Sequence, residues 1–143
     1  MTSVREIDFY KNVRETREFP FGTFYYFDSV VISEINEGVV FNWEMAKVAL
    51  DAAQEIFGDE KPLTYISNRI NSYSLIPTDW LKFYKHRHRL LRYCVVGNSA
   101  STLSSILLEK MFFKDSLRQF IDLETAIEWS LDKNEDSQIQ NVS

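Results

Sequence analysis

Ser67-Asn68-Arg69-Ile70-Asn71-Ser72-Tyr73-Ser74 sets serine hydroxyls, two amides and one guanidinium in a polar, turn-rich stretch. A phosphate on Ser72 or Ser74 would add a charge of about −1.5 to −2, enough to change a docking surface, with Arg69 near enough in sequence to pair with it. The ordinary alternative is a solvated, hydrogen-bonded turn. Ser67, Asn68, Arg69, Ser72 and Ser74 therefore form the candidate regulatory or recognition loop. A second group is cationic: Lys82, Lys85, Arg87, Arg89 and Arg92 occur with no acid between them. This +5 segment lies in a chain of net charge −5, so the remainder carries −10. It is a candidate patch for an acidic partner, an anionic headgroup or RNA, and the ordinary alternative is a solvated helix end whose cations complement the C-terminal dipole.

Other reactive residue types lack the company that chemistry needs. His86 and His88 are two apart, so on a helix they point in different directions, and no Cys or acid at ligand spacing joins them. Cys94, within Tyr93-Cys94-Val95-Val96, reads as a small buried hydrophobe. Gly97-Asn98-Ser99-Ala100-Ser101 could offer backbone N–H groups to an anion, but it lacks a Walker lysine and GxGxxG spacing, and Ser99 or Ser101 fits an ordinary helix N-cap. No supported nucleophile is present, so the sequence points to no catalytic residue, metal or cofactor and to a chain that is not an enzyme.

The elements that must position these groups follow from periodicity. From Arg5 to Asn36 alternation predicts strands, with Phe19, Phe21, Tyr25 and Phe27 on one parity, Phe24 and Tyr26 on the other, and a hairpin turn at Asp28-Ser29 leading to Val30–Ile35. Six aromatics between Phe19 and Phe27 require at least one packed face. Phe24 and Tyr26 are then the candidate interface, including one between two copies of the chain. Asn42 and Gly58 bracket an amphipathic helix, and Leu63–Ile66 reads as a strand. Pro77-Thr78-Asp79 opens a helix carrying Trp80, Leu81, Phe83 and Tyr84, and Arg92–Val96 is the next strand. A helix from Ser99 or Ser101 has Leu103, Ile106 and Leu107 on its apolar face, and Leu117–Ile121 and a helix capped by Asp122 complete the order. Strands alternating with helices predict a small single α/β domain with a mixed sheet, antiparallel at the start and parallel thereafter.

Length and composition agree with one globular unit. The 143 residues include 11 Phe, 7 Tyr and 3 Trp against only four Gly and three Pro, so there is ample apolar surface to bury. A lone cysteine, no apolar leader and no run near the 18 apolar residues of a spanning helix suggest a cytoplasmic protein without a transmembrane segment. Net acidity argues against non-specific binding to phosphate backbones, and without an RNA-binding motif no nucleic-acid partner is expected.

Val30-Val31-Ile32-Ser33-Glu34-Ile35, Gly38, the Ala-rich helix, Pro62 before Tyr65-Ile66-Ser67, Tyr93-Cys94-Val95-Val96 and Phe120-Ile121-Asp122-Leu123-Glu124-Thr125-Ala126-Ile127-Glu128-Trp129 together resemble the SpoIIAA-like branch of the STAS fold over residues 19–133. Residues 1–18 would be an N-terminal extension and 134–143 a disordered tail. The resemblance implies a four- or five-stranded sheet with helices mostly on one side. It further implies a non-catalytic regulatory domain that binds a protein, a kinase or other regulator, and is switched by serine phosphorylation. The family's Asp-Ser-Ser-Gly-like turn is absent after Ile66, so no phosphoacceptor carries over by motif. The same branch is akin to CRAL-TRIO carriers, which implies as the alternative a small carrier for an apolar or anionic lipid-like ligand.

Overall fold

The computed structural model describes residues 1–58, 62–79, 82, 85, 90–113 and 117–132. Strands β1 (Glu15–Phe19), β2 (Gly22–Tyr26), β3 (Val30–Ile35), β5 (Leu63–Asn68), β7 (Leu90–Val96) and β8 (Leu117–Phe120) form one sheet in that order. The first two pairings are antiparallel and the next three parallel, which gives the mixed α/β sheet expected from the alternation of elements. β4 (Val40–Phe41) and β6 (Ser74–Leu75) pair separately as a two-residue parallel ribbon. The helices are α1 (Trp43–Phe57), α2 (Ala100–Phe113) and α3 (Leu123–Ser130). At six strands the main sheet is wider than the resemblance implied.

Both faces of the sheet are covered, and this explains the aromatic excess. Phe24, Tyr26, Val31, Ile35 and Leu63 pack beneath Ala46, Ala49, Ala52 and Ala53 of α1. Tyr93, Val95 and Leu117 continue that face beneath Ile106 of α2. On the other face Tyr25, Phe27, Ile32, Ile66, Cys94 and Val96 pack against α3 and the N-terminal segment. A strand buried on both sides needs apolar residues at both parities. Phe24 and Tyr26, expected as an interface, are therefore core residues at 3% and 0% exposure, and the Tyr26 hydroxyl donates to the Ala49 carbonyl at 3.1 Å.

The N-terminal segment departs from the strand pattern. Val4–Glu6 and Asp8–Asn12 are 3-10 turns, the first held by a capping box between Ser3 and Glu6. Val4 is fully buried, and Ile7, Phe9, Tyr10 and Val13 lie against the same cluster, so their spacing reflects one packed side of a turn-rich segment. Glu34, 7% exposed, ties this segment down by accepting from Val4 N–H at 2.9 Å, Ser3 Oγ at 2.8 Å and Asn68 Nδ2 at 2.8 Å. Gly22 is required by the tight pairing: a Cβ there would come within 2.7 Å of the Glu34 carbonyl oxygen.

Local signals at helix ends are obeyed. Asn42 Oδ1 accepts from Met45 N–H at 2.9 Å and Gly58, at φ 85°, stops α1. Replacing Asn42 by Ala is expected to lower unfolding stability by about 1 kcal/mol, read from urea denaturation midpoints. Ser99 caps α2 by accepting from Thr102 N–H at 3.1 Å, and Asp122 caps α3. The helix expected from Pro77 enters as a 3-10 turn at Pro77–Asp79, while Trp80, Leu81, Phe83 and Tyr84 lie outside the described residues, as do positions 134–143.

Candidate functional site

Arg69 follows directly on β5, at the carboxyl end of the parallel strands where α/β sheets place ligands and partners. Its side chain turns inward over the sheet and is 5% exposed. The guanidinium donates to Glu109 Oε1 at 2.6 Å, to Tyr93 Oη at 3.2 Å and to Ser67 Oγ at 3.0 Å, and lies 5.3 Å from the Tyr73 ring centre. Glu109 is fully buried, and also accepts from the Tyr93 hydroxyl and from Ser105 Oγ at 2.9 Å. Burial opposes the charge on Arg69, but Tyr73, Tyr93 and Glu109 outweigh it and hold its titration well above the ordinary range. Burial, reinforced by the Glu109 carboxylate, pushes the Tyr93 phenol well up. The cluster is thus a satisfied ion pair in a low-dielectric setting.

This pair sets the orientation of α2. Thr102, Ile106 and Glu109 face inward, at 5%, 4% and 0% exposure. Leu103 and Leu107, expected on the buried face with Ile106, point outward at 45% and 72%, and Leu108 and Met111 join them at 44% and 69%. The helix is polar inside and apolar outside because its one acid in this stretch must meet Arg69, and fixing one position of a helix fixes the direction of every other. Glu109 and Tyr93 were not legible as site residues; the only signal was a single acid within Ile106-Leu107-Leu108-Glu109-Lys110-Met111.

The structure separates the members of the expected recognition loop. Ser67 and Asn68 end β5 and are 1% exposed, and Arg69 is committed to Glu109, so it cannot serve a phosphate on the loop. Asn68 Nδ2 donates to Glu34 and to the Thr2 carbonyl, while its Oδ1 has no partner among the described residues. Ser72 and Ser74 are exposed. Their backbone is zipped to the preceding connection, with Ser72 N–H donating to Glu37 at 2.7 Å and Ser74 N–H to the Val39 carbonyl at 2.9 Å.

The cationic group is also divided. Lys82 and Lys85 are exposed, with Lys82 3.9 Å from Asp79, and Arg87 and Arg89 lie outside the described residues. Arg92 is no part of a surface patch. It is fully buried on the α3 side, with its guanidinium 4.7 Å from the Trp129 ring centre, and donates to the backbone carbonyls of Trp129 and of Asp132, the latter at 2.6 Å. A cation there adds a partner to carbonyls at the end of α3 and just beyond it.

A cavity of about 100 Å³ lies between α1 and the sheet. Ala46, Ala49 and Ala53 form its roof and Phe24, Val31 and Leu63 part of its floor. Tyr65 lines it too, with its hydroxyl 2.6 Å from Ser33 Oγ and its ring stacked at 5.3 Å on Tyr93 of the arginine cluster. No helix among the described residues is long and apolar enough to cross a membrane. No family model, curated protein or solved structure matches this chain.

Proposed function

We propose that this chain is a non-catalytic protein-binding domain of the regulatory kind that its resemblance to the STAS fold implies, docking through the outward face of α2. The observation that carries the reading is the row Leu103, Leu107, Leu108 and Met111, four large apolar side chains each at least 44% exposed on one helix. Scattered exposed leucines are ordinary, but a contiguous stripe on one helix marks an interaction surface. Residues spaced by three and four present a single ridge, which fits an apolar groove or a second helix on a partner protein. The exposed hydroxyls of Ser72 and Ser74 are where phosphorylation would act, and a phosphate on Ser72 would sit beside Glu37 and loosen the loop by like-charge repulsion.

Leu107→Asp and Met111→Asp test the surface, since both positions are open to water and the fold, checked by circular dichroism, should survive. Affinity capture from lysate of the native cells is expected to recover at least one protein more than tenfold better with wild type than with either folded variant. Identical recoveries for all three chains would remove α2 as the docking surface.

A further inference from the structure

We infer that the cavity under α1 is a binding site for a small, neutral, apolar molecule of at most about six carbon atoms, a ceiling set by an engineered apolar cavity of about 150 Å³ that stays dry and binds benzene. This site is separate from the α2 surface and does not depend on it. The void exists because the inward positions of α1 are alanines. Ala46, Ala49 and Ala53 stop at Cβ, while the strands opposite supply Phe24, Val31 and Leu63. The recess opens to solvent, and its volume of about 100 Å³ under a helix of alanines is room for more than a single water molecule.

Chemistry narrows the ligand. The lining side chains among the described residues are hydrocarbon except for the indole of Trp43 and the phenol of Tyr65, and the latter's hydroxyl is already engaged with Ser33 at 2.6 Å. Among the described residues no charged side chain lines the cavity, and Arg92, buried, faces the opposite side of the sheet with α3. An anionic headgroup would enter without a counter-charge, which is strongly unfavourable. A long acyl chain exceeds the volume. Trp43, Leu50 and Leu90 are half-buried lining residues, so the cavity reaches solvent through them and a small molecule has a way in.

Methyl-detected NMR titration of the full chain with benzene, n-pentane and sodium decanoate tests this, with thermal melts alongside. Benzene or pentane is expected to shift the methyls of Val31, Leu50 and Leu63 and to raise Tm, whereas decanoate leaves those methyls unmoved. Ala46→Leu, which places a side chain into the void, is expected to abolish the shifts while keeping Tm at or above that of wild type. Ala53→Met serves the same purpose should Ala46→Leu fail to fold. The inference is overturned if neither small probe moves those methyls, if the filled variant responds as wild type does, or if decanoate binds in their place. None of these outcomes changes with Leu107→Asp, so a failure here is distinct from failure of the docking surface.

Discussion

Arg69→Met is expected to destabilise the fold by about 3–5 kcal/mol, the usual consequence of removing one partner of a buried ion pair. The loss arises because Glu109, fully buried, keeps its carboxylate with only the Tyr93 and Ser105 hydroxyls to stabilise it. Replacing both partners, Arg69→Met with Glu109→Leu, removes the uncompensated charge and is expected to bring stability back to within about 1 kcal/mol of wild type or above it. Urea denaturation of the two singles and the double closes the cycle. A deficit that is small at neutral pH would mean that the pair does not hold α2 in place.

Stability is expected to fall steeply on the alkaline side. Burial raises the titration of the Tyr26, Tyr65 and Tyr93 phenols above the ordinary tyrosine range and pushes the Cys94 thiol up to about 12. In each case the folded-state value is the higher one, so the native state holds its protons after the unfolded chain has released them. The associated stability is complete below the unfolded-chain values and is lost as pH rises past them, beginning near the thiol at about 8.5 and steepening near the phenols at about 10. Each phenol that stays protonated only when folded costs about 1.4 kcal/mol for every pH unit above that point, and three act together. Denaturation midpoints should be flat from pH 6 to about 8 and collapse by about pH 11, with the tyrosinate absorbance of Tyr26, Tyr65 and Tyr93 appearing only as the fold is lost. Cys94, fully buried, should resist thiol reagents at pH 8 until denaturant is added. Midpoints unchanged to about pH 11, or free reaction of Cys94 in the native state, would contradict this burial.

Much of the element order was legible because the signals are local. Asn42 and Gly58 mark the ends of α1 through hydrogen bonds and backbone conformations that span four residues, and Asp122 does the same for α3. The strands at Val30–Ile35, Leu63–Asn68 and Leu90–Val96 are short apolar runs of β-branched and aromatic residues, and their alternation with helices predicts the parallel pairings found. The same locality explains residues 5–12, where alternation predicts strand and 3-10 turns are found. Ile7, Phe9 and Val13 have one buried side, and alternation cannot distinguish a strand from turns packed along a core.

The candidate sites were less legible, since their character depends on partners far away in the chain. Arg69 and Glu109 are 40 residues apart, and Arg92 and Asp132 are also 40 apart. In sequence both arginines read as available cations; in the fold each is buried and committed to acceptors of its own, Glu109 for Arg69 and the Trp129 and Asp132 carbonyls for Arg92. Leu103 and Leu107 read as core because they share a helical stripe with Ile106, yet the acid three positions past Ile106 turned that stripe aside.

The sequence by itself determined the α/β class with its mixed sheet, where α1 begins and ends and where α3 begins, and that the aromatic first strands have at least one packed face. Only the tertiary structure decided that both faces of the sheet are covered, that Phe24 and Tyr26 lie inside, that α2 shows its leucines to solvent, and that a void remains under α1. The physical reason is the range of the interactions involved. Capping and strand alternation act over a few residues and are written in order along the chain, whereas desolvating a charge is tolerable only where a distant partner meets it.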